Sequence, residues 1–315
     1  MKALRALSAI HALLAAGAVC AQDFPLKPLR IITSEVGGGS DFTARLIAQG
    51  LSGNLGQQAI VDNRPAGVAQ GEAVAKAPPD GYTLFVTGDT LWTLPLLQKT
   101  PYDPVKDFAP ITLMARAPTL LVVHPSLPVK SVQELVTLAK ARPGALNYSS
   151  GATGSSSHLS AELFKSMAAV NIVRIPYKGG GPAIIDLIGG QVQLTFGSAS
   201  AITPHIKSGK LRALAVTTAQ PSALFPGLPA VAASVPGYES VAVHAVFTSA
   251  KTPDAIIRRL NQEIVRVLNQ ADVKNRLFNT GIETVGGTPE ELAATIHSGM
   301  TKLAKVIKDA GIRAD

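Results

Sequence analysis

The stretch Leu120-Leu121-Val122-Val123 is an uninterrupted apolar run of strand length near the middle of the chain. A run without polar alternation is typical of a strand buried on both faces, as in parallel sheets. Other β-type runs lie on both sides of it, and segments with the helical spacing of apolar residues separate them. This alternation predicts an α/β protein in which helices cover parallel sheets.

Working outward, the predicted elements form two similar series. Strands are predicted before Leu120 at 29–33, 59–61 and 83–86, and after it at 146–148, 172–175, 192–196 and 211–216. A long β run follows at 241–247, and two helices close the chain. Both closing helices start with a Thr-Pro pair, Thr252-Pro253 and Thr288-Pro289, which predicts threonine at the N-cap and proline in the first turn. The two series predict two doubly wound α/β domains.

Composition restricts the function classes. The chain has 315 residues, of which 46% are apolar and 16% charged, so it has enough apolar surface for two cores and is not disordered. Aromatic residues make up only 5%, which disfavours a binder that stacks bases. The formal net charge is +8, but the basic residues are dispersed, so we expect no nucleic-acid partner.

The N-terminus has the plan of a secretory signal peptide. A short basic head is followed by an apolar segment and by small residues around the only cysteine, Cys20. We expect residues 1–21 to be removed on export, which leaves a mature chain without a thiol. The alternative is a lipoprotein modified at Cys20.

Four glycine-rich segments follow predicted strands, at 35–41, 149–158, 177–182 and 196–200. In open α/β sheets, ligands bind at the carboxyl ends of the strands, where such loops fall. Glycine allows close approach of the backbone, and helix N-termini offer unpaired N–H groups and a partial positive charge. Serine and threonine hydroxyls add hydrogen bonds to an anion. The four loops together predict an oxyanion-binding site.

Enzyme and cofactor motifs are not found in the sequence. The first glycine segment lacks the third glycine of a dinucleotide fingerprint, and there is no P-loop. There is no Gly-x-Ser-x-Gly nucleophile elbow, and the histidines lack metal-binding spacing. We therefore predict no cofactor, no metal, no catalytic residues and no enzyme activity. His158, the one histidine in a candidate loop, is expected to orient that loop or to cap a helix.

The chain resembles the periplasmic solute-binding receptors of tripartite tricarboxylate transporters, the Bug (TctC-like) family. The likeness covers the mature chain in order, and the stretches that carry it are Gly37-Gly38-Gly39-Ser40-Asp41, Asp62-Asn63-Arg64-Pro65, Pro79-Asp80-Gly81-Tyr82-Thr83-Leu84, Pro101-Tyr102-Asp103-Pro104-Val105-Lys106-Asp107-Phe108, Leu146-Asn147-Tyr148, Ser156-Ser157-His158-Leu159, Pro176-Tyr177-Lys178-Gly179 and Gly209-Lys210-Leu211-Arg212-Ala213-Leu214-Ala215-Val216.

The resemblance implies a Venus-flytrap architecture, with two α/β domains and a cleft between them. Residues 22–122 and 238–315 are then expected to form domain 1, and residues 123–237 domain 2. The two closing helices would return to domain 1. The ligand-binding residues expected from the loops and the resemblance are Gly38, Ser40, Asp41, Tyr148, Ser150, Thr153, Ser155, Ser156, Lys178 and Ser198.

The function implied is capture of a small carboxylate by hinge closure and delivery to the membrane subunits of a transporter, by a protein expected to be monomeric. A di- or tricarboxylate, an amino acid and an aromatic acid all remain open as ligands. The sequence departs from the family where Thr33-Ser34-Glu35-Val36 replaces a Pro-Phe-Pro-Pro run. In a closed cleft, Glu35 would oppose a second carboxylate but would suit an ammonium group. The alternative is that Glu35 points to solvent and does not contact the ligand. The alternative function is a ligand sensor that reports to a membrane signalling kinase.

Overall fold

A computed structural model of the chain describes residues 24–34, 39–64, 67–151, 153–177 and 179–311. The predicted signal peptide and the candidate residues Gly38, Lys178 and Glu35 lie outside these ranges. None of the helices in the described ranges is long and apolar enough to cross a bilayer.

The described ranges contain ten strands and ten helices that alternate through most of the chain. The strands are β1 (Leu29–Thr33), β2 (Ala59–Asn63), β3 (Thr83–Thr87), β4 (Phe108–Val123), β5 (Asn147–Ser150), β6 (Val173–Pro176), β7 (Leu194–Ser198), β8 (Arg212–Val216), β9 (Val241–Ser249) and β10 (Glu283–Thr284). The helices are α1 (Gly39–Leu55), α2 (Val68–Ala75), α3 (Thr90–Leu97), α4 (Val132–Ala141), α5 (Ser156–Ala168), α6 (Gly180–Ile188), α7 (Ala199–Lys207), α8 (Asp254–Leu268), α9 (Ala271–Asn279) and α10 (Pro289–Ala310).

The strands form one path in the order β2-β1-β3-β9-β4-β7-β5-β6, and β8 and β10 also pair with β4. Strand β4 belongs to both ends of this path. Its residues up to Pro118 pair with β9, whereas Thr119–Val123 pair with β7, and Leu120–Val123 pair with β8 on the other side. We call the end with β1, β2, β3, β9 and β10 lobe 1, and the end with β5 to β8 lobe 2. The predicted α/β class with two lobes is confirmed.

The predicted parallel pairing of Leu120–Val123 is wrong. This segment runs antiparallel to both of its neighbours, β7 and β8. Its apolar character comes from burial on both faces instead. Leu121 and Val123 pack into the core under α4 and α5, and Leu120 and Val122 pack into the core with α6 and α7. Coverage by helices on both faces, and not strand direction, therefore explains the run without polar alternation.

Lobe 1 has the same layered construction. On one face of its sheet, Ile31 and Leu84 pack against α1, α8 and α9. On the other face, Phe85 packs with Trp92 of α3 and with α2 and α10. Because neighbouring residues of a strand point to opposite faces, Leu84 and Phe85 of β3 contribute to different cores.

The chain closes with three helices, α8, α9 and α10, and not with the two that were predicted. The prediction that the closing helices pack on the first domain holds only in part, because α10 contacts both lobes. Leu292 and Ile296, near its start, belong to a lobe 1 core, whereas Val306, near its end, belongs to the lobe 2 core with α4 and α5. Helix α10 thus packs against both lobes, in addition to the two places where the chain crosses between them, within β4 and before β9.

The two Thr-Pro starts differ. Thr288 is the N-cap of α10, and it exchanges side-chain and backbone hydrogen bonds with Glu291 in a capping box. The predicted N-cap role of Thr252 is wrong, because Pro253 takes the N-cap position of α8. The Thr252 hydroxyl instead donates a 2.8 Å hydrogen bond to the carbonyl of Ser249.

Candidate functional site

Strand directions bring the predicted loops to a common place. Strand β9 is antiparallel to both β3 and β4, so β4 leaves lobe 1 in the same direction as β1 and β3. It then enters lobe 2 antiparallel to β7, to which β5 is parallel. The carboxyl ends of the strands in the two lobes therefore face each other along β4. Strand β3 ends level with Leu113 and β7 ends level with Thr119, which leaves a gap of about 20 Å along the strand.

The loop between β5 and α5 lies on the lobe 2 side of this gap. Ser155 is the N-cap of α5, and its hydroxyl accepts from the amide of His158. Ser157 accepts a 3.0 Å hydrogen bond from the amide of Gly151, and His158 Nδ1 accepts from the amide of Gly154 at 3.1 Å. The predicted role of His158 in orienting the loop agrees with this contact. These bonds fix the loop around the helix N-terminus.

Ser156 differs from its neighbours. It occupies the first position of α5, where the backbone N–H has no partner within the helix. Its hydroxyl forms no hydrogen bond with any described residue, and the residue lines the cavity described below. Ser198, at the end of β7, is exposed, and its side chain makes no capping hydrogen bond to α7. Ser156 and Ser198 are thus predicted site residues whose hydroxyls make no hydrogen bond to a described residue.

Arg174 of β6 holds the same loop from the side, and the sequence analysis did not identify it. Its Nε donates to the Ser150 hydroxyl at 2.9 Å, its Nη1 donates to the Thr153 hydroxyl at 3.0 Å, and its Nη2 donates to the Gly151 carbonyl at 3.2 Å. Ser150 and Thr153 thus act in the described structure as acceptors for Arg174. The signal in the sequence was a single arginine within the apolar strand at 172–175.

Tyr148 lies in the core of lobe 2, with its ring fully buried. Its hydroxyl donates a 2.6 Å hydrogen bond to Oε1 of Glu162, which also pairs with Lys165 at 2.7 Å. Burial raises the pKa of the Tyr148 hydroxyl, and the Glu162 carboxylate adds to that effect. In sequence, Tyr148 lies two residues before Ser150, where β5 ends and the loop begins. Its side chain is part of the lobe 2 core.

On the lobe 1 side, the start of α1 contacts β9. Ser40 Oγ lies 3.4 Å from Nδ1 of His244, and a Cβ at Gly39 would lie 3.0 Å from the same imidazole. Asp41 is buried, where it pairs with Arg45 at 2.9 Å and accepts from Asn63 at 2.8 Å. Desolvation lowers the pKa of His244 to about 4, so this imidazole is neutral at neutral pH.

A cavity of about 420 Å³ lies between the lobes, enclosed by α3, α5, α10 and the start of β9. Its apolar wall includes Leu159, Leu163 and Val306, which are all buried. Its polar groups include Ser156 from lobe 2 and Asp89, the N-cap residue of α3 in lobe 1. The volume suits a small organic ligand.

Asp89 was also missed, although it lies two residues after the end of β3, much as the predicted loops follow their strands. Its side chain keeps partial access to the cavity, but protein atoms surround the carboxyl group. This desolvation raises the pKa of Asp89 to about 6, against the opposing effect of backbone N–H groups. Within the described ranges, no group of His, Cys, Asp or Glu side chains is arranged to hold a metal ion.

Comparisons with known proteins agree with this architecture. The family model for the tripartite tricarboxylate transporter family receptor, TctC, matches residues 43–312. Protein BugT of Bordetella pertussis is 34% identical over 305 residues, which covers 95% of this chain and 94% of BugT.

Two solved structures extend the similarity. R. palustris Rpa4515 with adipate is 38% identical with a TM-score of 0.82, covering 92% of this chain and 99% of that one. MatC from Rhodopseudomonas palustris with bound malate is 28% identical with a TM-score of 0.79, covering 90% of this chain and all of that one. The chain belongs to the TctC family of tripartite tricarboxylate transporter receptors.

Proposed function

We propose that this protein is a periplasmic receptor that captures a small organic carboxylate and delivers it to a tripartite tricarboxylate-type transporter. Members of its family are periplasmic solute-binding receptors, and two similar structures contain adipate and malate. The observation that carries the proposal is the start of α5, where Ser156 lines the cavity between the lobes with an unpartnered hydroxyl.

The chemistry of that helix start fits a carboxylate. A buried carboxylate loses its hydration and must regain hydrogen bonds from the protein. The first amides of α5 and the Ser156 hydroxyl supply donors, and the helix N-terminus adds a partial positive charge. Arg174 and Ser155 hold the loop, so little order has to be gained when the ligand binds.

Binding is coupled to hinge closure in this proposal. The two domains that move are proposed to be residues 22–122 together with 238–315, and residues 123–237. The whole protein is proposed to act as a monomer. The crossing of the chain at β4 and β9 supports this division. Because the only cysteine is Cys20, single cysteines can be introduced at the exposed positions Gly53 and Lys140 and labelled in residues 22–315. The distance between the labels is expected to shorten when a bound carboxylate is added.

A thermal-shift screen of carboxylates on residues 22–315 tests the binding function, since a ligand that binds the folded state raises the melting temperature. Ser156→Asp places a negative charge in the first turn of α5, which suits the helix but repels a carboxylate. We expect this variant to fold with unchanged or higher stability and to lose the ligand-induced shift.

Gln133→Asp is the matched control, because it puts the same charge into the first turn of α4, at the opposite end of the lobe 2 sheet. It is expected to keep the full shift. A full shift in Ser156→Asp would place the site elsewhere. A screen without any shift would contradict the receptor function itself.

A further inference from the structure

The cavity contains a pair of side chains that a simple carboxylate does not use. Asp89 and Trp92 stand three residues apart at the start of α3, a spacing that puts both on one face of a helix. Both line the cavity that Ser156 lines from lobe 2. The carboxyl of Asp89 has no ion-pair partner among the described residues. A carboxylate that is surrounded by protein without a counter-ion is costly, so this position favours a cationic partner.

Trp92 closes the cavity beside Asp89. Its side chain is 2% exposed, and its indole N–H donates no hydrogen bond to another described residue. Helix α10 approaches it closely at Gly299, where a Cβ would lie 3.1 Å from Nε1. The indole therefore forms a wall of the cavity beside Asp89, and the attraction for a cation comes from the Asp89 carboxylate.

The other charged groups around the cavity give Asp89 no counter-ion. Arg116 of β4, Glu239 before β9 and Lys302 of α10 line the cavity, but all three are exposed at its rim. Lys302 donates to the Glu239 carbonyl at 3.0 Å. His244, on the adjacent strand, is neutral at neutral pH because burial lowers its pKa to about 4.

We propose that Asp89, beside Trp92, forms an ammonium-binding subsite, so that the ligand of this receptor is a zwitterion whose carboxylate binds at the start of α5. This inference rests on the proposed function and narrows its ligand class to amino acids and similar compounds. At neutral pH, Asp89 is mostly ionised, since its pKa is raised only to about 6. An ionised Asp89 repels the second carboxylate of a dicarboxylate and attracts an ammonium group. It therefore selects against dicarboxylates without an ammonium group.

The test compares amino acids with analogues that lack only the ammonium group. The first pairs are glutamate with glutarate, leucine with 4-methylpentanoate and phenylalanine with 3-phenylpropanoate. The remaining amino acids are then compared with their deaminated analogues in the same way. Affinities are measured by calorimetry at pH 7.5 on residues 22–315. For at least one pair, we expect the amino acid to bind ten times more tightly or better. Asp89→Asn is expected to remove that preference.

Glu239→Gln is the matched control, because it removes a carboxylate from the exposed rim of the same cavity and should leave the preference within twofold. Equal binding of both members of each pair, or binding of deaminated acids alone, would overturn the subsite and leave the receptor function standing. An Asp89→Asn variant that retains the preference would also overturn it. The failure of all carboxylates to bind would reject both proposals.

A measurement on the unchanged protein removes the dependence on variant folding. Between pH 7.5 and pH 5, Asp89 gains a proton, whereas an amino acid such as leucine keeps both its ammonium group and its α-carboxylate. The affinity for such an amino acid is therefore expected to fall by at least threefold at pH 5. An affinity that does not change with pH would contradict a role for Asp89.

Discussion

The hydroxyl of Tyr148 donates a 2.6 Å hydrogen bond to Glu162 across the core of lobe 2. Because Glu162 also pairs with Lys165, this tyrosine joins β5 to a charged pair on α5. We expect Tyr148→Phe to lower the free energy of unfolding by about 1–2 kcal/mol, since the bond is to a carboxylate. Carboxylate affinity should stay within twofold.

Denaturant unfolding and calorimetry on the same variant separate a role of Tyr148 in stability from a role in ligand binding. Tyr102→Phe is the control, because the Tyr102 side chain is buried and its hydroxyl has no hydrogen-bond partner among the described residues. Its unfolding free energy should change by less than about 0.5 kcal/mol. A tenfold loss of affinity in Tyr148→Phe at unchanged stability would show that Tyr148 contacts the ligand directly.

Arg174 is expected to control ligand affinity without contacting the ligand. It holds Ser150, Gly151 and Thr153 with three different nitrogens, and lysine cannot reproduce that fork. Arg174→Lys should therefore weaken carboxylate binding at least tenfold through a looser loop. Arg212→Lys is the control, since Arg212 holds the carbonyls of Leu127 and Val129 in the same lobe. Loss of affinity in both variants would indicate a general effect on lobe 2.

Much of the fold was predictable because its strands are short, apolar and separated by helical patterns. Strand direction was not predictable from the run at Leu120–Val123, since burial on both faces gives the same pattern for either direction. The closing helix α9 was missed because its apolar residues on the buried side are few, chiefly Val273 and Leu277.

The candidate site was predictable in position but less so in detail. Strand ends and glycines located the loop at 149–158, because both features are local in the sequence. Tyr148 was grouped with this loop by proximity, yet its side chain is directed into the core. Asp89 and Trp92 were missed because their importance comes from the cavity, which α10 encloses from more than 190 residues away in the sequence. Contacts of that range have no signature in a local pattern.

Two glycines in α1 should respond oppositely to alanine. A Cβ at Gly50 would lie 2.3 Å and 2.5 Å from the two methyl carbons of Val267 in α8, so Gly50→Ala forces the helices apart. We expect it to cost about 1–3 kcal/mol of unfolding free energy. Gly53→Ala meets nothing within 4 Å and should stabilise the protein by about 0.5–1 kcal/mol through helix propensity.

Chemical denaturation of the two variants checks this contrast. Adding Val267→Ala to Gly50→Ala relieves the clash, so the double variant should lose less stability than the two single changes sum to. Strict additivity would show that the approach of α1 to α8 does not limit residue size at Gly50.

The last prediction concerns pH, because His244 and Asp89 have opposite shifts. Burial lowers the pKa of His244 from 6.5 to about 4, so its contribution to stability is present above pH 6.5 and is lost as the pH falls towards 4. Burial raises the pKa of Asp89 from 3.8 to about 6, so its contribution is present below pH 3.8 and is lost as the pH rises through 6. Each effect is at most on the order of 3 kcal/mol.

The two effects oppose each other between about pH 4 and pH 6, so the unchanged protein should show little net dependence on these groups. His244→Gln should gain stability relative to the unchanged protein as the pH is lowered from 7 to 4.5, and Asp89→Asn should lose it. Urea unfolding at each pH gives these differences, in which the titration of all other groups cancels. If both variants followed the pH curve of the unchanged protein, neither group would be buried in the way described.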